Sequence, residues 1–185
     1  MDTTPLNLRR RSFLKLSGLG LFSLVGGGYI AARLTDGTAK ALLPKATNLS
    51  PASQQMLLKI FDAILWDMMP KEQDPLLLTS AIATLDKGIS ALPPAIQKEL
   101  IGLLDMLTFA PSRFALAGRW SGWENASRNE VSAWLIALQT SSFELRRLIY
   151  ITMHDISTSS FYANPQTWSL VGYNGPLLHG PGPEV

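Results

Sequence analysis

Ser50-Pro51-Ala52-Ser53-Gln54-Gln55-Met56-Leu57-Leu58-Lys59-Ile60-Phe61-Asp62-Ala63-Ile64-Leu65-Trp66-Asp67-Met68-Met69-Pro70 reads as one amphipathic helix. Ser50 is a natural N-cap, and Pro51 occupies the first helical position, where its missing N–H leaves no bond unmade. Met56, Leu57, Ile60, Phe61, Ile64, Leu65 and Met68 recur at i, i+3, i+4, i+7 spacing and form one apolar stripe. Pro70 stops the helix. A stripe of this kind has to be covered by others like it, and the rest of the chain supplies them.

Downstream, a second helix is expected from Leu76 to Ser90, with Leu78, Ile82, Leu85 and Ile89 on one side. Pro93-Pro94 opens a third, to about Ala110, with the stripe Ile96, Leu100, Leu103, Leu104 and Leu107; Pro111 ends it. Residues 112–126 hold Phe114, Leu116, Trp120 and Trp123 without a sustained period, and read as a short helical turn and a loop. Two capping boxes follow. Ser127-Arg128-Asn129-Glu130 starts a helix containing Val131, Trp134, Leu135 and Leu138, and Ser141-Ser142-Phe143-Glu144 starts one containing Leu145, Leu148, Ile149, Thr152, Met153 and Ile156. Asn164-Pro165 caps a last short helix through Val171, ended by Gly172. No alternating strand pattern and no internal repeat is present. The expectation is an all-α bundle of five to six helices over 50–173, with an extended Gly/Pro-rich tail over 174–185.

Before the bundle lies Arg10-Arg11-Ser12-Phe13-Leu14-Lys15, a match to the twin-arginine pattern in which Arg10, Arg11, Phe13, Leu14 and Lys15 are the export signal. A weakly apolar run from Leu16 to Ala32 follows, with Gly18, Gly20, Gly26, Gly27 and Gly28 inside it. Each interior Gly lowers helix stability by nearly ~1 kcal/mol relative to Ala, so this is a poor permanent membrane helix. Ala39-Lys40-Ala41 is an A-x-A cleavage site. The organisation expected is therefore a signal peptide over 1–41, a linker over 42–49, and the bundle. Retention of the leader as an anchor stays open as an alternative. The twin-arginine route exports folded proteins, so the expected destination is the periplasm, with association with the inner membrane left open.

Charge is divided along the chain. Of sixteen Lys and Arg, six lie in residues 1–41, with only two of the fourteen Asp and Glu, giving that segment a net charge of +4. Residues 42–185 carry ten basic and twelve acidic residues, a net of −2, so the domain has no positive excess for a nucleic acid to find. There is no Cys, which excludes disulfides, c-type haem attachment, Fe–S ligation and Cys-type zinc sites. Five Trp, seven Phe and four Tyr are many rings for a small helical domain, and some are expected at a partner surface.

No catalytic constellation emerges. The two His are His154, on the long helix beside Asp155, and His179, in the Gly/Pro tail; neither has metal-ligand spacing to carboxylates. Sequence neighbours on a helix do not face each other, so His154 reads as a structural or surface residue. Asp62 and Asp67, five apart on the first helix, do not closely share a face. Gly26-Gly27-Gly28 lacks the strand, the Lys-Ser/Thr and the following helix of a phosphate loop. No G-x-G-x-x-G, no G-x-S-x-G and no Glu-x-x-His occurs.

Phe161-Tyr162-Ala163-Asn164-Pro165-Gln166-Thr167-Trp168-Ser169-Leu170-Val171-Gly172-Tyr173-Asn174-Gly175-Pro176 resembles the C-terminal F-Y-x-(D/N)-P-x-x-W-x-x-(I/L/V)-G-Y-x-G-P of the gluconate 2-dehydrogenase subunit 3 family. These are small subunits of membrane-associated, FAD-dependent dehydrogenases. The twin-arginine leader, the Pro93-Pro94 helix start and the Arg146-Arg147 helix are weaker points of similarity; only the leader and the C-terminal motif are specific. The resemblance implies an accessory subunit without a cofactor of its own. Its large partner would hold FAD in a glucose–methanol–choline oxidoreductase fold, lack an export signal, and travel with this chain through the twin-arginine translocase. A c-type cytochrome subunit often receives the electrons in such complexes.

The motif residues Phe161, Tyr162, Trp168, Tyr173 and Pro176 are then the expected partner contacts. Read from the residues alone, the same rings either close the bundle's own core or face a partner, and both uses are compatible. The tail from Gly175 has too little apolar content to pack alone. A stand-alone periplasmic helical protein that binds a small molecule, and a membrane-anchored structural protein, are the alternatives.

Overall fold

The first stripe becomes the axis of the bundle. In the computed structural model, which describes residues 42–43, 46–69, 75–119 and 121–174, it forms α1 (Pro51–Leu65). Then come α2 (Pro75–Ser90), α3 (Pro94–Thr108), α4 (Ala110–Ala117), α5 (Arg128–Gln139) and α6 (Glu144–Tyr162). Two 3-10 segments, Trp66–Met68 and Pro165–Val171, follow α1 and α6. Among the described residues there is no strand, and they form an all-α bundle.

α1 packs against α2, α3, α5 and α6, while α2 and α5 also pack on α6. Met56, Leu57, Ile60, Phe61 and Leu65 are fully buried; they meet Ile82 and Ile89 of α2, Leu104 and Leu107 of α3, Val131 and Leu138 of α5, and Ile149, Met153 and Phe161 of α6 in one core. Each such side chain contributes about 1.5–3 kcal/mol of burial free energy. The buried stripes are slightly narrower than the spacing predicts. Ile96, Leu145 and Leu148 are exposed, and so is Met68, because the backbone tightens to 3-10 after Leu65 and turns it off the stripe.

Two buried carboxylates join elements that are far apart in sequence. Asp86 of α2 accepts from the backbone N–H groups of Thr47, Asn48 and Leu49, each at 3.0 Å, and from the Thr47 hydroxyl at 3.3 Å. Gln54 Oε1 accepts from the Leu42 and Leu43 amides at 2.8 Å each. The described part of 42–49, expected as a linker, is thus fastened along the bundle. Asp105 of α3 accepts from the hydroxyls of Ser50 and Ser53 at 3.0 Å each, while Ser50 Oγ caps α1 by accepting from Ser53 N.

Residues 110–117 form a full helix where the sequence suggested only a turn. Pro111 does end α3, but it does so by opening α4; α3 and α4 meet at 103° across Phe109. Gly118, at φ 70°, stops α4 in the left-handed conformation that favours glycine. The following loop is held by side-chain bonds to backbone carbonyls. Trp123 Nε1 donates to Leu107 O (2.9 Å), Trp134 Nε1 to Ala117 O (3.0 Å), Arg113 to Thr108 O and Arg119 O, and Arg119 to Gly122 O. Burial, then the charge of Arg119, lowers the pKa of Arg113, and burial lowers that of Arg119.

The first capping box is present in both directions: Glu130 N donates to Ser127 Oγ, and Ser127 N donates to Glu130 Oε2. The second is not. α6 starts at Glu144 with Phe143 as N-cap and no side-chain cap; Ser141 Oγ instead accepts from Phe143 N in a local turn. The first residue of the proposed box lies two positions short of the true cap.

Candidate functional site

The C-terminal motif folds back on the end of α6. Asn164 is buried and placed from both sides: its Nδ2 donates to Ser80 Oγ of α2 at 2.7 Å, and its Oδ1 accepts from Gln166 N at 3.1 Å. Pro165 opens the 3-10 segment, where a missing N–H is tolerated. The last carbonyls of a helix have no intrahelical donor. Here the motif supplies donors: the Thr167 hydroxyl bonds to Phe161 O, and Trp168 Nε1 donates to Tyr162 O at 2.8 Å. Gly172, at φ 70°, ends the segment, and Tyr173 N returns to Trp168 O at 2.9 Å.

This placement divides the four aromatic rings. Phe161 is 1% exposed and belongs to the core, so its expected role as a partner contact is withdrawn. It continues the buried face of Met153, Ser157 and Ser160, and it meets Tyr162 edge-on at 5.7 Å. Tyr162 and Tyr173 are 50% and 47% exposed. Trp168 is half-buried, bonded inward through its N–H, and edge-on to Tyr173 at 5.2 Å. Leu170 and Val171 add exposed apolar surface beside them. Pro176 and the tail from 175 lie outside the described residues, as do Arg10, Arg11, Phe13, Leu14, Lys15 and His179.

The face extends to residues that were not singled out as contacts. Tyr162 Oη lies 3.9 Å from Met68 Sδ, which brings in the 3-10 turn Trp66–Met68. Trp66 falls off the α1 stripe, and that phase was the available signal for its exposure. Its ring lies against Arg128, whose Cζ is 3.1 Å from the ring centroid; Arg128 is in turn paired through Nε and Nη2 with the two carboxylate oxygens of Asp62, both at 3.1 Å.

His154 and Asp155 are both exposed; their side chains do reach each other, at 3.4 Å, despite being sequence neighbours. Among the described residues no group of three or more His, Asp or Glu could hold a metal ion, and no single helix is long and apolar enough to cross a membrane. The chain matches no family model, no curated protein and no solved structure. Its assignment therefore rests on its own residues.

Proposed function

We propose that this chain is the non-catalytic small subunit of a periplasmic FAD-dependent sugar or alcohol dehydrogenase. It binds the flavoprotein subunit and carries it, already folded, through the twin-arginine translocase. FAD belongs to that partner, and a c-type cytochrome subunit is a further component. The observation that carries this reading is the pairing of a folded-export signal at 10–15 with the family motif at 161–176, on a domain whose sequence offers no catalytic constellation. The half-exposed rings of Tyr162 and Tyr173 support it, since tyrosine combines apolar contact area with a hydrogen-bonding tip and is enriched at interfaces.

Replacing Arg10 and Arg11 together by Lys tests the carrier role. The charge is kept and the planar guanidinium geometry is lost. Dehydrogenase activity is expected to move from the periplasmic to the cytoplasmic fraction. Unchanged periplasmic activity would refute the proposal.

A further inference from the structure

Ala39-Lys40-Ala41 sets a cleavage junction between Ala41 and Leu42. Hydrolysis there adds the hydroxyl of water to the Ala41 carbonyl carbon and its proton to the Leu42 nitrogen, which leaves as a new N-terminal amine. That nitrogen is already engaged. Leu42 N donates to Gln54 Oε1 at 2.8 Å, and Leu43 N donates to the same oxygen at 2.8 Å. Gln54 is only 1% exposed on α1. Its Nε2 donates to Leu49 O at 3.0 Å, which holds the side-chain amide with its oxygen toward residues 42 and 43.

The hold continues past the junction. Leu43 packs against the core, and its carbonyl accepts from Ala46 N at 3.2 Å. Asp86 of α2 then takes the amides of Thr47, Asn48 and Leu49. A protease has to bring a proton to the leaving nitrogen. It also draws the residues on both sides of the scissile bond into its own cleft, and Leu42 and Leu43 enter no cleft while bonded to a buried side chain. Cleavage then waits on local opening, and its rate follows the population of the opened form. A chain exported already folded meets the protease with this hold in place.

We propose that the fold controls removal of its own leader: Gln54 clasps Leu42 and Leu43 and protects the Ala41–Leu42 bond until these two residues lift from α1. This rests on the reading of 1–41 as an export leader and not on any partner subunit. The full chain, its Gln54→Met variant and a peptide of residues 33–49 are treated with purified leader peptidase in detergent micelles, below the melting temperature of both folded chains. Intact mass identifies the products. The peptide is expected to be cut after Ala41, and the wild-type chain at least roughly tenfold more slowly, since opening breaks two hydrogen bonds. Gln54→Met keeps the side-chain volume and removes the acceptor, so its cleavage should be about fivefold or more faster than wild type.

Hydrogen exchange at the Leu42 and Leu43 amides of the wild-type chain decides the matter if Gln54→Met does not fold; protection of roughly tenfold or more over the peptide is expected. Exchange at the peptide's rate overturns the clasp. So does wild-type cleavage within about twofold of the peptide, or cleavage of folded Gln54→Met within about twofold of wild type. A peptide that is not cut after Ala41 removes the junction and the proposal with it. The assay contains neither translocase nor flavoprotein, so each of these failures leaves the subunit reading to its own test.

Discussion

Trp168 is the residue at which core and interface readings of the motif meet, and truncating it separates them. Full loss of a buried Trp or Phe side chain costs about 3–5 kcal/mol. Trp168 is only half-buried, so roughly 2 kcal/mol is the packing share. Its indole N–H to Tyr162 O adds about 0.5–1.5 kcal/mol, and its edge-on contact with Tyr173 a similar amount. Trp168→Ala should therefore destabilise the isolated domain by about 3–5 kcal/mol, roughly 10–15 °C in melting temperature for a domain of this size. Trp168→Phe keeps most of the ring and loses the N–H, so about 1 kcal/mol and a few degrees are expected. Calorimetry on the chain from residue 42 onward reads both. The graded order, wild type above Phe above Ala, is the signature of an inward-bonded ring. Melting of Trp168→Ala within about 2 °C of wild type would mean that the indole stabilises nothing in the free domain, and the fold-back of the motif on α6 would be wrong.

Asp86→Ala removes the acceptor for three backbone amides, that of Leu49 buried, and should cost about 2–4 kcal/mol; hydrogen exchange at 47–49 should rise well before global unfolding, and unchanged protection there would refute the clamp. Glu130 is held below its usual pKa first by the Ser127 backbone N–H and then by the Ser127 hydroxyl, so the stability it contributes is present above the usual glutamate value and is lost as pH falls through the lowered one. Urea titrations should accordingly find Glu130→Gln less stable than wild type at about pH 7, with the gap closing as pH falls below the usual glutamate value; a gap that widened on acidification would contradict the sign.

The fold was legible wherever a local rule had no competitor. The α1 stripe carries its own cap, although the helix ends at Leu65, ahead of the expected stop at Pro70, and Ser127 and Glu130 sit at the separation a reciprocal cap needs. The second box failed because Ser141 had a nearer donor, the Phe143 amide, and the helix began later than the pattern implied. Pro111 misled because a proline that ends one helix is equally suited to the first turn of the next. The clamps through Asp86 and Asp105 join positions 37 to 55 residues apart, and no local spacing announces them. Within the site, helical phase already separated Phe161 from Tyr162: position 161 repeats the face of 153 and 157, and position 162 is a hundred degrees further round. Trp66 was legible by the same argument, since it stands off the stripe that Leu65 completes.

What remains is why the motif has the form it does. A helix such as α6 can be ended by a single left-handed glycine and two backbone bonds. This chain instead uses the Asn164 amide, the Thr167 hydroxyl and the Trp168 indole, each aimed inward at α2 or at the end of α6. Those bonds leave the outer surface of the fold-back to Leu170, Val171 and Tyr173, all exposed, while Tyr162, also exposed, reaches Met68. Isolated apolar residues on a surface need no explanation, but several exposed on one short fold-back favour association. The inward polar bonds hold that apolar face in one shape, which would lower the entropic cost of docking to the partner proposed above.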